Sequence, residues 1–142
     1  MTGYKPHPET LGDNPTRQQI FDFVVNHLFN QGVKAGGPNE GCYYRTSDGA
    51  LSCAVGCLIP DKLYDEAMEC GTVHTLLLRF CNILPDYFWS NRFFLKELQI
   101  LHDTCPDTKF TTTYLNENFK DIAFRYGLKY ETREQSSDSY YT

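Results

Sequence analysis

Apolar residues recur at helical spacing in four stretches of this chain, and each stretch is bounded by residues that start or stop a helix. Thr16 stands three residues before Gln19 in a capping-box pattern. Ile20, Phe21, Val24, Leu28 and Phe29 follow with helical period until Gly32 ends the run. A first helix is predicted there, with His27 on its partly exposed flank. Thr72 caps a second helix through Val73, Leu76, Leu77, Phe80 and Leu84, and Pro85 closes it because proline disfavours a helical residue before it. Asp86 then caps a long predicted helix over 87–102, with Trp89, Phe93, Phe94, Leu98 and Leu101 toward the interior. The last helix, over 114–126, sets Leu115, Phe119, Ile122, Ala123 and Tyr126 on one face and stops at Gly127. A shorter fifth helix over 61–68 opens at Pro60-Asp61 and ends before Gly71, offering Leu63, Tyr64, Ala67 and Met68 to the core.

Between the first two long helices the pattern changes. After a loop holding Gly36-Gly37-Pro38 and Gly41, the chain reads Cys42-Tyr43-Tyr44-Arg45, then Asp48-Gly49, then Leu51, Cys53 and Val55 at alternating positions. Asp-Gly is a strong signal for a tight turn between twisted strands. An antiparallel hairpin is predicted, with Cys42 across from Cys53 if the register runs evenly from the turn. Leu128-Lys129-Tyr130 suggests a short edge strand. The fold class these elements define is α+β: one mainly helical domain over 14–130, with about five helices around one short hairpin. Residues 1–13 read as a flexible arm, and the polar, serine-containing 131–142 as a disordered tail.

A chain of 142 residues fits one domain. Its 18 acidic and 13 basic residues, net −5, disfavour a protein that holds nucleic acid by its phosphates. No run approaches the roughly 18 apolar residues of a membrane span. The N-terminal residues lack the apolar core of a secretion signal, so the expectation is a cytosolic protein whose six cysteines are free thiols.

Cys42, Tyr44-Arg45, Gly49, Cys53-Ala54-Val55-Gly56, Leu58-Ile59-Pro60-Asp61, Tyr64 and Glu69, with Leu98-Gln99, His102-Asp103 and Gly127-Leu128 further on, carry a resemblance. The chain is similar, over about residues 16 to 128, to a family of small bacteriophage and bacterial proteins whose pattern is C-x-Y-R, G, C-A-V-G-x-L-I-P-D and L-Q-x-x-H-D. It departs from that pattern at Cys70, where glycine is more usual. The resemblance implies a phage or bacterial cytosolic setting and no particular activity.

Three chemistries compete for the central stretch. Cys42, Cys53 and Cys57, with His102 or His74 as a fourth ligand, are a candidate zinc site, although the close C-x2-C pair of a zinc knuckle is missing. Cys53 is a candidate nucleophile, its thiol acidified if a helix begins near it, with His102 as base and Asp103 to orient the imidazole. Tyr44, Arg45 and Asp61 are candidate ligand-binding residues. Arg45 would either pair with a carboxylate such as Asp61, Glu69 or Asp103, or reach a small anionic ligand. Against these stands a reading without chemistry: an accessory protein that binds a host or phage protein, in host takeover or counter-defence, through a tyrosine-rich, moderately acidic exterior.

Overall fold

The computed structural model describes residues 4–37, 41–69 and 71–134. Among them are five α-helices: α1 (Arg17–Gln31), α2 (Val73–Phe80), α3 (Asp86–Ser90), α4 (Arg92–Asp103) and α5 (Thr112–Tyr126). The caps fall where local chemistry puts them. Thr16 and Gln19 form both halves of the capping box on α1, and the Thr72 and Thr111 hydroxyls accept the N–H groups of Thr75 and Tyr114. Gly32 and Gly127 close α1 and α5 in the left-handed conformation, φ 76° and 67°.

α4 is central. It packs against α2, α3 and α5, while α1 lies against α5 and the turn Gly56–Leu58. The interior is built from rings: Phe21 meets the Phe119 ring edge-on at 5.7 Å and the Tyr130 ring at 6.0 Å, and Phe94 meets Tyr126 at 4.9 Å. Phe21, Phe88, Phe94 and Phe119 are fully buried.

The α+β expectation fails, and the molecule is helical. Strand pairing among the described residues is confined to a two-residue ladder, Gly36–Gly37 with Gly41–Cys42, and two isolated bridges. No hairpin spans 42–55. Asp48-Gly49 does turn, with the Gly49 N–H on the Thr46 carbonyl at 2.8 Å and Gly49 at φ 75°, but pairing stops after the Arg45–Ser52 bridge. That bridge also sets the register so that the Cys53 N–H donates to the Tyr44 carbonyl, and Cys42 faces Gly36 instead of Cys53.

The reason is where the backbone finds its partners. Both carboxylate oxygens of Glu69 accept from this segment, from Tyr44 N–H at 2.9 Å and Arg45 N–H at 3.0 Å. The Gln31 side-chain amide takes both the N–H and the C=O of Ser52, and Gln99 Oε1 takes the Val55 N–H. Side chains from three distant places thus satisfy groups that a neighbouring strand would otherwise satisfy. Beyond Cys53 the chain coils too tightly to extend: Cys57 N–H returns to the Cys53 carbonyl, and Gly56 lies so close to Tyr44 that a Cβ there would sit 1.9 Å from its carbonyl oxygen.

Other expectations change as well: the second helix, expected through Leu84, ends at Phe80. Residues 61–68 form two single 3₁₀ turns, Asp61–Leu63 and Glu66–Met68, of which only Met68 is buried. The helix expected over 87–102 is broken at Asn91 (φ −110°, ψ 21°), whose side-chain amide and N–H both reach back to the Tyr87 carbonyl. Restarting there sends Phe94, Leu95 and Leu98 inward and leaves Trp89 and Phe93 exposed. Residues 128–130 form no strand; Gln18 pairs with the N–H and C=O of Lys129, and Asn116 does the same for Arg133. Residues 4–13 lie against the body, with Pro8 buried and Lys5 paired to Asp61 at 3.1 Å, and the tail expected over 131–142 falls outside the described residues from 135 onward.

Candidate functional site

Of the sequence-predicted residues, His102 and Asp103 meet on α4, in a network that Gln99 carries to the segment of Cys53. His102 is fully buried. Its Nε2 accepts the Ala35 N–H at 3.0 Å, a group that can only donate, so the proton sits on Nδ1 and is donated to Asp103 Oδ1 at 2.8 Å. Adjacent on the helix, the two side chains nonetheless meet, as the imidazole of the last turn folds onto its neighbour's carboxylate. Gln99 Nε2 donates to the same Asp103 oxygen at 2.9 Å, and Gln99 carries the network on to Val55.

Cys53 sits close by with no exposed surface. No helix begins at it, and burial pushes its thiol far above the ordinary range, against the opposing N–H of Gly56, which donates to the sulfur at 3.2 Å. A thiol held protonated and sealed, and an imidazole whose two nitrogens are both committed elsewhere, are not the pairing of a nucleophile with its base. Cys57 is also buried, its thiol raised by burial and donating to the Ala54 carbonyl at 3.1 Å. The side chain of Cys42 lies outside the described residues. Among the described residues no cluster of three metal-ligating side chains forms.

His27, expected on a flank, is buried. Its Nε2 donates to the Ser52 carbonyl at 2.8 Å and its Nδ1 accepts from the Tyr4 hydroxyl at 2.6 Å. Burial lowers its pKa to about 4, the Ser52 carbonyl opposing and the His102 ring adding to the fall.

Arg45 makes the expected ion pair, 2.9 Å from Asp61, and also donates to the Ile59 carbonyl and lies 4.4 Å over the Tyr64 ring. Asp61 is shared with Lys5, and the two cations, Lys5 foremost, hold its carboxyl below the usual range. Tyr44 is buried, while Tyr43 is exposed. A cleft of about 530 Å³ opens beside Arg45, lined also by Tyr43, Leu51, Tyr64, Glu66 and Glu69. An anion entering it would meet two carboxylates and a guanidinium already held by Asp61. Glu69 is itself saturated, accepting the Tyr64 hydroxyl at 2.5 Å besides its two backbone donors.

A different surface has the opposite character. Leu77, Leu78, Cys81, Leu84, Phe88 and Trp89 line a groove of about 350 Å³ where α2 runs into α3. Trp89, the only tryptophan of the chain, is 41% exposed, Leu78 59% and Phe93 68%. Arg92 lies 4.3 Å over the Trp89 ring and 4.8 Å over that of Phe93. A second cavity, of about 200 Å³, holds Thr72 and Val73 from the start of α2 together with Lys96, Ile100 and Asp103 from the end of α4. The groove and the exposed rings together make a seam at the corner where α2, α3 and the start of α4 meet. Periodicity had assigned Trp89 and Phe93 to the interior. The signal that would have placed them is the ring count: Tyr87, Phe88, Trp89, Phe93 and Phe94 within eight residues exceed what one helical face can bury. Compared with protein-family models, curated proteins and solved structures, the chain matches none.

Proposed function

We propose that this protein acts without chemistry of its own, by binding a protein partner, and that the seam at the corner of α2, α3 and the start of α4 is the binding surface. The motif resemblance adds only the setting, a phage or bacterial cytosol; the role we propose within it is host takeover or counter-defence. The observation that carries the reading is the exposed set Leu78, Trp89 and Phe93 beside the groove at the α2–α3 corner. Exposed apolar surface of this kind, holding a tryptophan and an arginine, has the composition of an interface centre. The sealed state of Cys53 and the full engagement of His102 support the same reading from the other side, because they leave no reactive group at the centre.

The test is affinity capture from bacterial lysate with the parent protein and three variants. A partner retained by the parent and by Arg45→Ala, and lost from Leu78→Asp and Trp89→Ala, is the expected result, with helicity and melting temperature as fold controls. Retention by both groove variants, or loss only with Arg45→Ala, would move the interface elsewhere.

A further inference from the structure

The arm that precedes α1 is held to the body, among the described residues, by side chains alone. The backbone hydrogen bonds of its loop positions, Thr10 N–H to the His7 carbonyl and Gly12 N–H to the Glu9 carbonyl, stay inside the arm. Three side chains anchor it: the Tyr4 hydroxyl donates to His27 Nδ1 at 2.6 Å, Lys5 pairs with Asp61 at 3.1 Å, and Pro8 is buried. The Tyr4 and His27 rings lie 5.6 Å apart.

Both polar anchors meet groups that the body sets on its own. His27 Nε2 donates to the Ser52 carbonyl at 2.8 Å, a group that can only accept, so Nδ1 is an acceptor independently of Tyr4. Asp61 is likewise held from the body side, by Arg45 at 2.9 Å on one carboxylate oxygen, and Lys5 takes the other. A buried imidazole nitrogen left without a donor is costly, so the position beside His27 calls for a hydroxyl. The arm does not fill the space it covers. A cavity of about 90 Å³, with room for water, remains between Tyr4, Pro6 and Pro8 of the arm and Ser52, Gly56 and Cys57 of the body. Pro6 and Pro8 restrict the segment beforehand and so reduce the entropy it loses on docking. Beyond them Gly12, at φ 73°, and exposed Asp13 and Asn14 link the arm to α1. A segment read through a hydroxyl, a cation and a buried proline, on groups already oriented, is held as a bound peptide is held.

We infer that the trough beneath the arm is a peptide-binding site whose resident occupant is Tyr4–Pro8, and that a partner protein engages it with an extended segment of the same make-up: tyrosine, lysine or arginine, proline, any residue, proline. The site goes beyond the binding surface proposed above, with which it shares no lining residue. The arm is a built-in competitor. At the roughly millimolar effective concentration of a short tether it keeps free segments out until it is weakened. The tyrosine hydroxyl matters more than the cation, because the Lys5–Asp61 pair is exposed on both sides and screened by salt.

The probe is a labelled peptide copying residues 4–11, read by fluorescence anisotropy, with versions carrying phenylalanine for its tyrosine or glutamate for its lysine. Each is titrated into the whole chain and into the whole chain carrying Tyr4→Ala with Lys5→Glu, which disables the resident arm; helicity serves as the fold control. The double variant should bind the copy peptide at least about tenfold more tightly than the parent does, because competition in cis is gone. To that variant the phenylalanine peptide should bind about fivefold or more weakly, for want of one hydrogen bond to a buried acceptor. The glutamate peptide should lose about fivefold at low salt, a loss that Asp61→Asn in the same background removes.

Equal affinity for parent and double variant, or of the tyrosine and phenylalanine peptides, would overturn the inference. So would a failure of the double variant to bind at about 1 mM peptide, the level at which the tethered arm itself competes. A parent dimer that Tyr4→Ala with Lys5→Glu dissociates would overturn it too, since the arm of a second copy would then be the occupant.

Discussion

The centre around Cys53 and His102 and the seam at the corner of α2, α3 and the start of α4 contain the two most conspicuous residue sets of the chain, and they are treated in opposite ways. At the centre, imidazole, carboxylate and amide bond to one another and to the backbone, and the sealed thiol takes the Gly56 N–H. At the seam, a tryptophan, a phenylalanine, a leucine and an arginine are left facing outward. Side chains with catalytic potential here hold an irregular segment in shape, and side chains with packing potential are offered to solvent. The comparison shows why residue type alone misleads: what matters is whether a group's capacity is already used by the fold.

The comparison can be broken hardest at Gly56. With the Tyr44 carbonyl in the way of a Cβ, Gly56→Ala should cost about 4 kcal/mol in urea unfolding, and a cost under about 1 kcal/mol would show that the close approach is not held in solution. Glu69→Ala strips the partners from the Tyr44 and Arg45 N–H groups and should cost about 3 kcal/mol, while Glu66→Ala, at an exposed neighbour, should stay within about 0.5 kcal/mol.

Acid probes the buried histidine. His27 has a folded pKa of about 4 against an ordinary value of 6.5, so the unfolded chain binds the proton first between those values. Stability is therefore complete above pH 6.5 and falls as the pH drops toward 4, by at most about 3 kcal/mol from this residue. Asp61, with its carboxyl held low, loses its contribution further down, as the pH falls through the carboxylate range. In His27→Gln the slope of stability between pH 6.5 and 4 should lessen by about one proton, whatever the variant's absolute stability.

Thiol labelling mapped residue by residue should modify exposed Cys81 in the folded protein and reach buried Cys53 and Cys57 at least about a hundredfold more slowly, through opening of the structure. Fast labelling of Cys53 would revive it as a nucleophile. The smallest effect belongs to the seam. Trp89→Ala and Leu78→Asp should change stability by only about 0.5 kcal/mol, since neither side chain is sealed in the core. A loss of several kcal/mol would mean that these residues pack, and would remove them from the binding surface.

What could be read beforehand was what is local. Thr16, Thr72, Gly32 and Gly127 mark helix ends through neighbours within four residues; α1 and α5 stop and α2 starts at those signals, while α2 ends at Phe80, short of the Pro85 that was to close it. The Arg45–Asp61 pair was legible because a half-buried arginine beside a strand-like run needs a nearby carboxylate. The hairpin was not, because its rivals come from far along the chain: Glu69, Gln31 and Gln99 take the hydrogen bonds that a second strand would need. The break at Asn91 depends on a single residue bonding back to Tyr87, and it decides which rings of that region are seen from outside. His102 with Asp103 was named as a pair from the sequence, but the partner on the far side of the imidazole was not, since Ala35 belongs to a loop with no pattern of its own.

Tyr130 settles between Phe21 and Phe119, with its hydroxyl on Asn116 at 2.5 Å, and so joins the beginning of the fold to its end. During synthesis α1 leaves the ribosome well ahead of this neighbour, which emerges more than a hundred residues later. Until then the ring of Phe21 has no lasting cover on that side, and a nascent chain would have to be sheltered or tolerated half-made while translation catches up.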